Sequence, residues 1–209
     1  MKRITLFFIA MSSMAAWAAG LESLENFIRT VRTGRAEFSQ VVTAPPKDGQ
    51  AARSRTSSGS FEFSRPNRFR FVYRKPFEQT LVADGQTLWL HDIDLNQVTA
   101  RKQAQALGST PAALIASAPD LRTLQAEFNL SESADKDGLQ WVHAVPRNRD
   151  AQLQGIRIGF RGPDLAVLEI SDSFGQRSVL TFTGFSANVA IDAASFQFKP
   201  PPGADLIRQ

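Results

Sequence analysis

The chain has 209 residues, 43% apolar and 21% charged, which is enough to bury one sizeable core and too apolar for disorder throughout. Its formal charge is only +4, and it has no cysteine, which excludes a disulfide framework, a thiolate zinc site, a cysteine nucleophile and a lipid-anchored N-terminal cysteine. Sixteen phenylalanines stand against one tyrosine; a ring without a hydroxyl needs no hydrogen-bond partner, so the ratio points to a large dry apolar surface.

Residues 1–18 read as a secretory signal. Lys2 and Arg3 open it, Ile4 to Met11 is apolar, and Ala16-Trp17-Ala18 offers small residues for cleavage before Ala19. The apolar run is shorter than the ~20 residues a spanning helix needs. Residues 19–209 are then expected to form a single domain outside the cytoplasm.

That domain opens with a helix. Leu21, Leu24, Phe27, Ile28 and Val31 form one stripe, with Glu22, Glu25, Arg29 and Arg32 opposite, and Thr33-Gly34 is the expected stop. From Arg35 onward the period is two. The proline-, serine- and arginine-rich stretch 44–58 reads as an exposed loop. Gly59 to Ser64 then alternates, placing Phe61 and Phe63 on one face, and after a turn at Arg65-Pro66-Asn67 the strand 68–74 sets Phe69, Phe71 and Tyr73 against Arg68, Arg70, Val72 and Arg74. A hairpin about Asp84-Gly85 is expected to place Leu81 opposite Leu88. Further strands fall near 97–102, 124–131, 139–145, 152–161, 165–172 and 176–186. With 35–43 these make about eleven strands, mostly antiparallel because the turns are short. Between them Ser109 or Thr110 caps a short helix with Pro111 at its first position. The fold class is mainly β: a curved antiparallel sheet whose concave face helices can cover.

Catalytic patterns are missing. G-x-S-x-G is absent, and the adjacent His91 and Asp92 point to opposite faces of a strand. Asp92-x-Asp94-x-Asn96 opens like a calcium loop but has Gln97 and Gln103 where glycine and glutamate belong. The arginines and aromatics of 68–74 occupy opposite faces, which defeats a nucleic-acid platform. Alternation leaves two readings of the inner face, a closed core or a lipid-sized cavity.

The run Phe61-x-Phe63-x-Arg65-Pro66-Asn67-x-Phe69-x-Phe71, followed by Asp84-Gly85-x-x-Leu88-Trp89, resembles the LolA family of periplasmic outer-membrane lipoprotein carriers. Ala36-Glu37-Phe38-Ser39-Gln40, Ser109-Thr110-Pro111 and Asp192-Ala193-Ala194-x-Phe196-x-Phe198 extend the resemblance along the chain; Pro200-Pro201-Pro202 is a longer proline run than the family pattern. The resemblance implies an unclosed barrel of eleven strands with a helical lid over an apolar cavity for acyl chains. It implies a monomeric, non-enzymatic chaperone without cofactor or metal, taking lipoproteins from an inner-membrane ABC-type releasing transporter to an outer-membrane receptor. That receptor is itself a lipoprotein, so the lack of cysteine favours the soluble carrier. A sensor of related fold is the rival reading. By the same resemblance Arg65 holds the lid, and Phe69 and Phe71 face the cavity. Parity adds Phe61, Tyr73, Leu81 and Leu88 from the strands, Ile28 and Val31 from the first helix, and Leu114 and Ile115 from the second.

Overall fold

The computed structural model describes residues 19–46, 50–106, 118–148 and 152–209. The expected signal and the expected helix carrying Leu114 and Ile115 lie outside them. Twelve strands form one sheet in the described residues: β1 Thr33–Ala44, β2 Arg53–Ser64, β3 Arg68–Lys75, β4 Gln79–Ala83, β5 Thr87–Asp92, β6 Gln97–Lys102, β7 Phe128–Lys136, β8 Leu139–Pro146, β9 Leu153–Arg161, β10 Asp164–Asp172, β11 Arg177–Ala187 and β12 Asp205–Arg208. Their order is β12-β6-β5-β4-β3-β2-β1-β11-β10-β9-β8-β7, so β7 and β12 are edges and the sheet is unclosed. Helix α1 is Ala19–Thr30, α2 is the single turn Gln103–Ala106, and α3 is Leu121–Glu127. No described helix is long and apolar enough to cross a membrane.

The sheet is wrapped around α1. Strands β2 and β9 are four places apart, about 19 Å in a flat sheet. Yet the Phe27 ring of α1 lies 6.1 Å from Phe63 of β2 and 5.6 Å from Phe160 of β9. Nine phenylalanines of the described residues share one buried cluster with Leu24, Ile28, Ile156, Ile158 and Leu168, each ring contributing roughly 1.5–3 kcal/mol by its burial. Alternation places them: Phe38, Phe61, Phe63, Phe69 and Phe71 are buried, while Arg35, Glu37, Glu62, Arg70 and Arg74 meet on the convex face.

Four expectations are corrected. Strand β2 begins at Arg53 within the expected loop, pairing Arg53 to Ala44 and Ser57 to Gln40; backbone bonds hold this polar half, which extends beyond the core and needs no apolar face. In the β4–β5 hairpin Leu81 pairs with Leu90, and Leu88 with Ala83. The cause is the Asp84 carboxylate, which accepts from the Gln86 and Thr87 amides at 2.8 Å each and lengthens the turn, with Gly85 at φ 104°. A slip of two residues preserves the faces. Residues 124–127, expected to open a strand, instead continue a helical turn begun at 121, because the Asp120 side chain caps Thr123 N and the strand starts only at Phe128. Helix α1 ends at Thr30, and Gly34 already belongs to β1.

The twelfth strand answers where the C-terminal tail goes. The 3-10 turn Ala193–Phe196 and the residues after it run over the outer side of β3 to β6. Phe196 is buried beneath the Arg68 guanidinium, and Phe198 packs on Trp89 and His91. Strand β12 then pairs parallel with β6, Asp205 against Gln97, covering that edge. The Asp92-to-Asn96 segment is a hairpin turn in which Leu95 N donates to Asp92 Oδ1.

Strand β2 steps past β3 at a bulge between Ser58 and Gly59. A Cβ at Gly59 would sit 1.9 Å from the Val72 carbonyl oxygen. Gly59→Ala is therefore expected to destabilise the fold by about 1–3 kcal/mol, measured as a lower urea midpoint at unchanged slope; a midpoint equal to that of the parent would contradict this close packing.

Candidate binding cavity

Helix α1 lies across the concave face and is tied at both ends. At its N-terminus the Gly20 and Leu21 amides donate to the Glu132 carboxylate of β7 at 3.2 and 2.8 Å, satisfying two end groups and placing a negative charge at the positive end of the dipole. Ser23 Oγ bonds Gln140 Oε1 at 2.7 Å. At the other end Asn188, after β11, donates from Nδ2 to Thr30 O at 3.0 Å and accepts from Arg32 N at 2.8 Å. The apolar stripe between these ends buries Leu24, Phe27 and Ile28.

Arg65 secures the same corner. Its side chain is buried, and Nε donates to Val31 O at 2.9 Å while Nη1 donates to Ala118 O, a carbonyl just before α3. Its backbone amide donates to Arg32 O at 2.8 Å. The guanidinium lies 5.4 Å from the Phe27 centroid and 5.3 Å from that of Phe63, within cation–π range. Burial, with the nearby Arg32 charge, lowers its pKa to about 10, so it remains a cation at neutral pH. Asn67 at φ 62° completes the turn, a conformation asparagine tolerates.

Beyond the phenylalanines under α1 the sheet encloses an open cavity of about 460 Å³, within the range of small-molecule sites. Its walls include Phe71, Leu81, Leu88, Leu90, Ile170 and Leu180, and Phe174, 70% exposed, stands at its mouth. Tyr73 is also a wall residue, its ring 5.0 Å from that of Phe38. Its hydroxyl donates to Gln40 Oε1 at 3.0 Å, and burial pushes its pKa up to about 12. Among the described residues no three His, Asp or Glu side chains gather as a metal site.

Of the residues the sequence singled out, Phe71, Tyr73, Leu81 and Leu88 line this cavity. Ile28, Val31, Phe61 and Phe69 pack instead into the cluster under α1, each no more than 5% exposed. Arg65 links the β2–β3 turn to the segments carrying α1 and α3. Sequence reasoning did not pick out Gln40, Leu90, Ile170, Ser178 and Leu180. Parity with Phe38 offered a signal for Gln40, and alternation along β10 and β11 offered one for Ile170 and Leu180. Glu132 carried none, lying 111 residues from the amide of Leu21 that it caps.

A family model described as "Outer membrane lipoprotein carrier protein LolA" matches residues 29–199. The chain belongs to the LolA family. Outer-membrane lipoprotein carrier proteins of Albidiferax ferrireducens and Leptothrix cholodnii are 65% and 53% identical to it; the first alignment covers all of both chains, the second 93% of this chain and 88% of the relative. An uncharacterized conserved protein from Thermus thermophilus shares the fold at 12% identity, with a TM-score of 0.53 over 90% of this chain and 96% of that one. LolA carriers are periplasmic and non-enzymatic, and this chain is one of them.

Tyr73 is the single tyrosine of this LolA chain, so its phenol can be titrated directly. Absorbance at 295 nm should show a midpoint near 12 in the folded protein, falling to about 10 in denaturant. Because the folded value is the higher one, the stability tied to this proton is complete below about pH 10 and is lost as pH rises through the folded value. A folded midpoint at the ordinary value would mean that the hydroxyl is in water.

Proposed function

We propose that the chain collects outer-membrane lipoproteins at an inner-membrane ABC-type transporter, holds their acyl chains against the concave face, and yields them to an outer-membrane receptor, working as a monomer. The observation that carries this reading is an apolar cavity, in a LolA-family chain, continuous with a phenylalanine cluster that α1 covers. A long acyl chain in water costs on the order of 10 kcal/mol, so a lipoprotein leaves its membrane only onto a comparable surface. Walls of phenylalanine, leucine and isoleucine supply that surface without stranding polar groups when the cargo departs.

With α1 seated, the open space suits one modest ligand. Several acyl chains require the surface beneath the lid, so α1 moves off as cargo enters. Ile28, Val31, Phe61 and Phe69 then join Phe71, Tyr73, Leu81 and Leu88 as acyl contacts. Leu114 and Ile115 complete the set from the segment before Ala118. Arg65 biases the lid shut, because each of its bonds to Val31 and Ala118 must break for the lid to leave. A closed lid competes with cargo and so assists release.

The carrier role is tested with the mature protein and spheroplasts: newly made lipoproteins should appear in the soluble fraction as one-to-one complexes, and their retention in the membrane beside a competent transporter would refute it. Arg65→Leu should tighten binding of an apolar fluorescent probe by up to about tenfold, the equivalent of losing one charged hydrogen bond, and slow transfer to the receptor. Equal probe affinity and equal transfer would remove Arg65 from lid control.

A further inference from the structure

The cavity is not uniformly apolar. Side chains from β3, β1 and β11 form a short polar belt on its wall: Tyr73 Oη bonds Gln40 Oε1 at 3.0 Å, and Gln40 Nε2 bonds Ser178 Oγ at 2.8 Å. All three line the same cavity, and around them stand Leu81, Leu90 and Leu180. The protons of this belt can be counted. Tyr73 offers one, Gln40 two and Ser178 one, and the two internal bonds use two of the four. Two donors are therefore left over, whichever way round the amide is placed. In the arrangement observed they are the second amide proton of Gln40 and the hydroxyl proton of Ser178, and neither has an acceptor among the described residues. Burial keeps Tyr73 protonated, so the count holds over the whole physiological pH range.

The belt also keeps spare lone pairs, which are left unmet more cheaply than donors, so its two donors and their apolar neighbours match a ligand that brings acceptors on long hydrocarbon chains. Alkyl chains alone leave the donors unmet, and a free carboxylate pairs better with Arg101, the exposed cation that lines the same cavity, than with an uncharged belt. An ester carbonyl meets the requirement: two strong acceptor lone pairs, no proton and no charge, attached directly to an acyl chain. We infer that Gln40 and Ser178, oriented by Tyr73, form a subsite for the ester carbonyls of a diacylated glycerol, fixing where the acyl chains begin. The inference rests on the acyl-chain reading of the cavity and adds to it a polar register point. That register sets how deep the chains reach and leaves the glycerol end facing the mouth at Phe174.

The test is displacement of N-phenyl-1-naphthylamine from the full mature chain by a dipalmitoyl glycerol and by its dihexadecyl ether analogue, which has the same chains without carbonyls. The parent protein should bind the ester about fivefold more tightly than the ether, the gain expected from one or two neutral hydrogen bonds. Gln40→Met, close in volume, should bring the ratio of ester to ether affinity to about one, and Ser178→Ala should reduce that ratio should the first variant fold poorly. Equal affinities for ester and ether in the parent overturn the inference and leave the apolar cavity standing. If neither lipid displaces the probe, the acyl-chain reading itself fails, and the inference with it. The ester preference supports the inference whether its bearer is a diacylated lipopeptide or a phospholipid, and comparing those two ligands identifies which bearer the protein takes.

Discussion

A sheet lined on one side with phenylalanine has to be covered, and in the proposed carrier cycle the cover also has to come off. Phe27 is where these demands meet. Its ring touches Phe63, Phe160 and Phe185, from strands on both halves of the sheet, and lies beneath the Arg65 guanidinium. The filled part of the inner face is where that one helix is seated. Non-directional burial draws α1 onto the sheet, and cargo offering the same kind of surface can take its place at little net cost in free energy.

What gives the cover its position is polar. Glu132 at the N-terminus, Asn188 at the C-terminus and Arg65 beside it bond to backbone groups of α1 or its flanks. Such bonds are directional and vanish within a fraction of an ångström, so they define one closed state instead of a continuum of looser ones. Arg65 is the most demanding of them. Its charge is taken out of water, which lowers its pKa, and its bonds to the Val31 and Ala118 carbonyls offset that cost.

The outer side obeys a different rule. The ion pair of Arg74 with Glu37 is largely solvated and contributes little to stability, while that of Arg35 with Glu62 is solvated on the arginine side. They keep that part of the convex face wet. The tail packs Phe198 against Trp89 and adds β12 where β6 would otherwise present an open edge.

Much of this was legible in the chain itself. The alternation of Phe61, Phe63, Phe69 and Phe71 assigned an inner face, and the stripe from Leu21 to Val31 assigned a helix to cover it, because side-chain period depends only on local backbone geometry. The family motifs pointed to Arg65 for the same reason that they pointed to the turn: its neighbours Pro66 and Asn67 shape the backbone locally. Three things needed the folded molecule. The start of β2 and the register of the β4–β5 hairpin were set by backbone pairing and by the Asp84 carboxylate, which leave no trace in hydropathy. The division of one apolar face into a filled part under α1 and an open part around Tyr73 depended on where the helix ends. The contacts of Glu132, Asn188 and the Tyr73–Gln40–Ser178 belt join residues 33 to 158 positions apart. Periodicity tells which way a side chain points, and only the wrapping of the sheet decides what it meets.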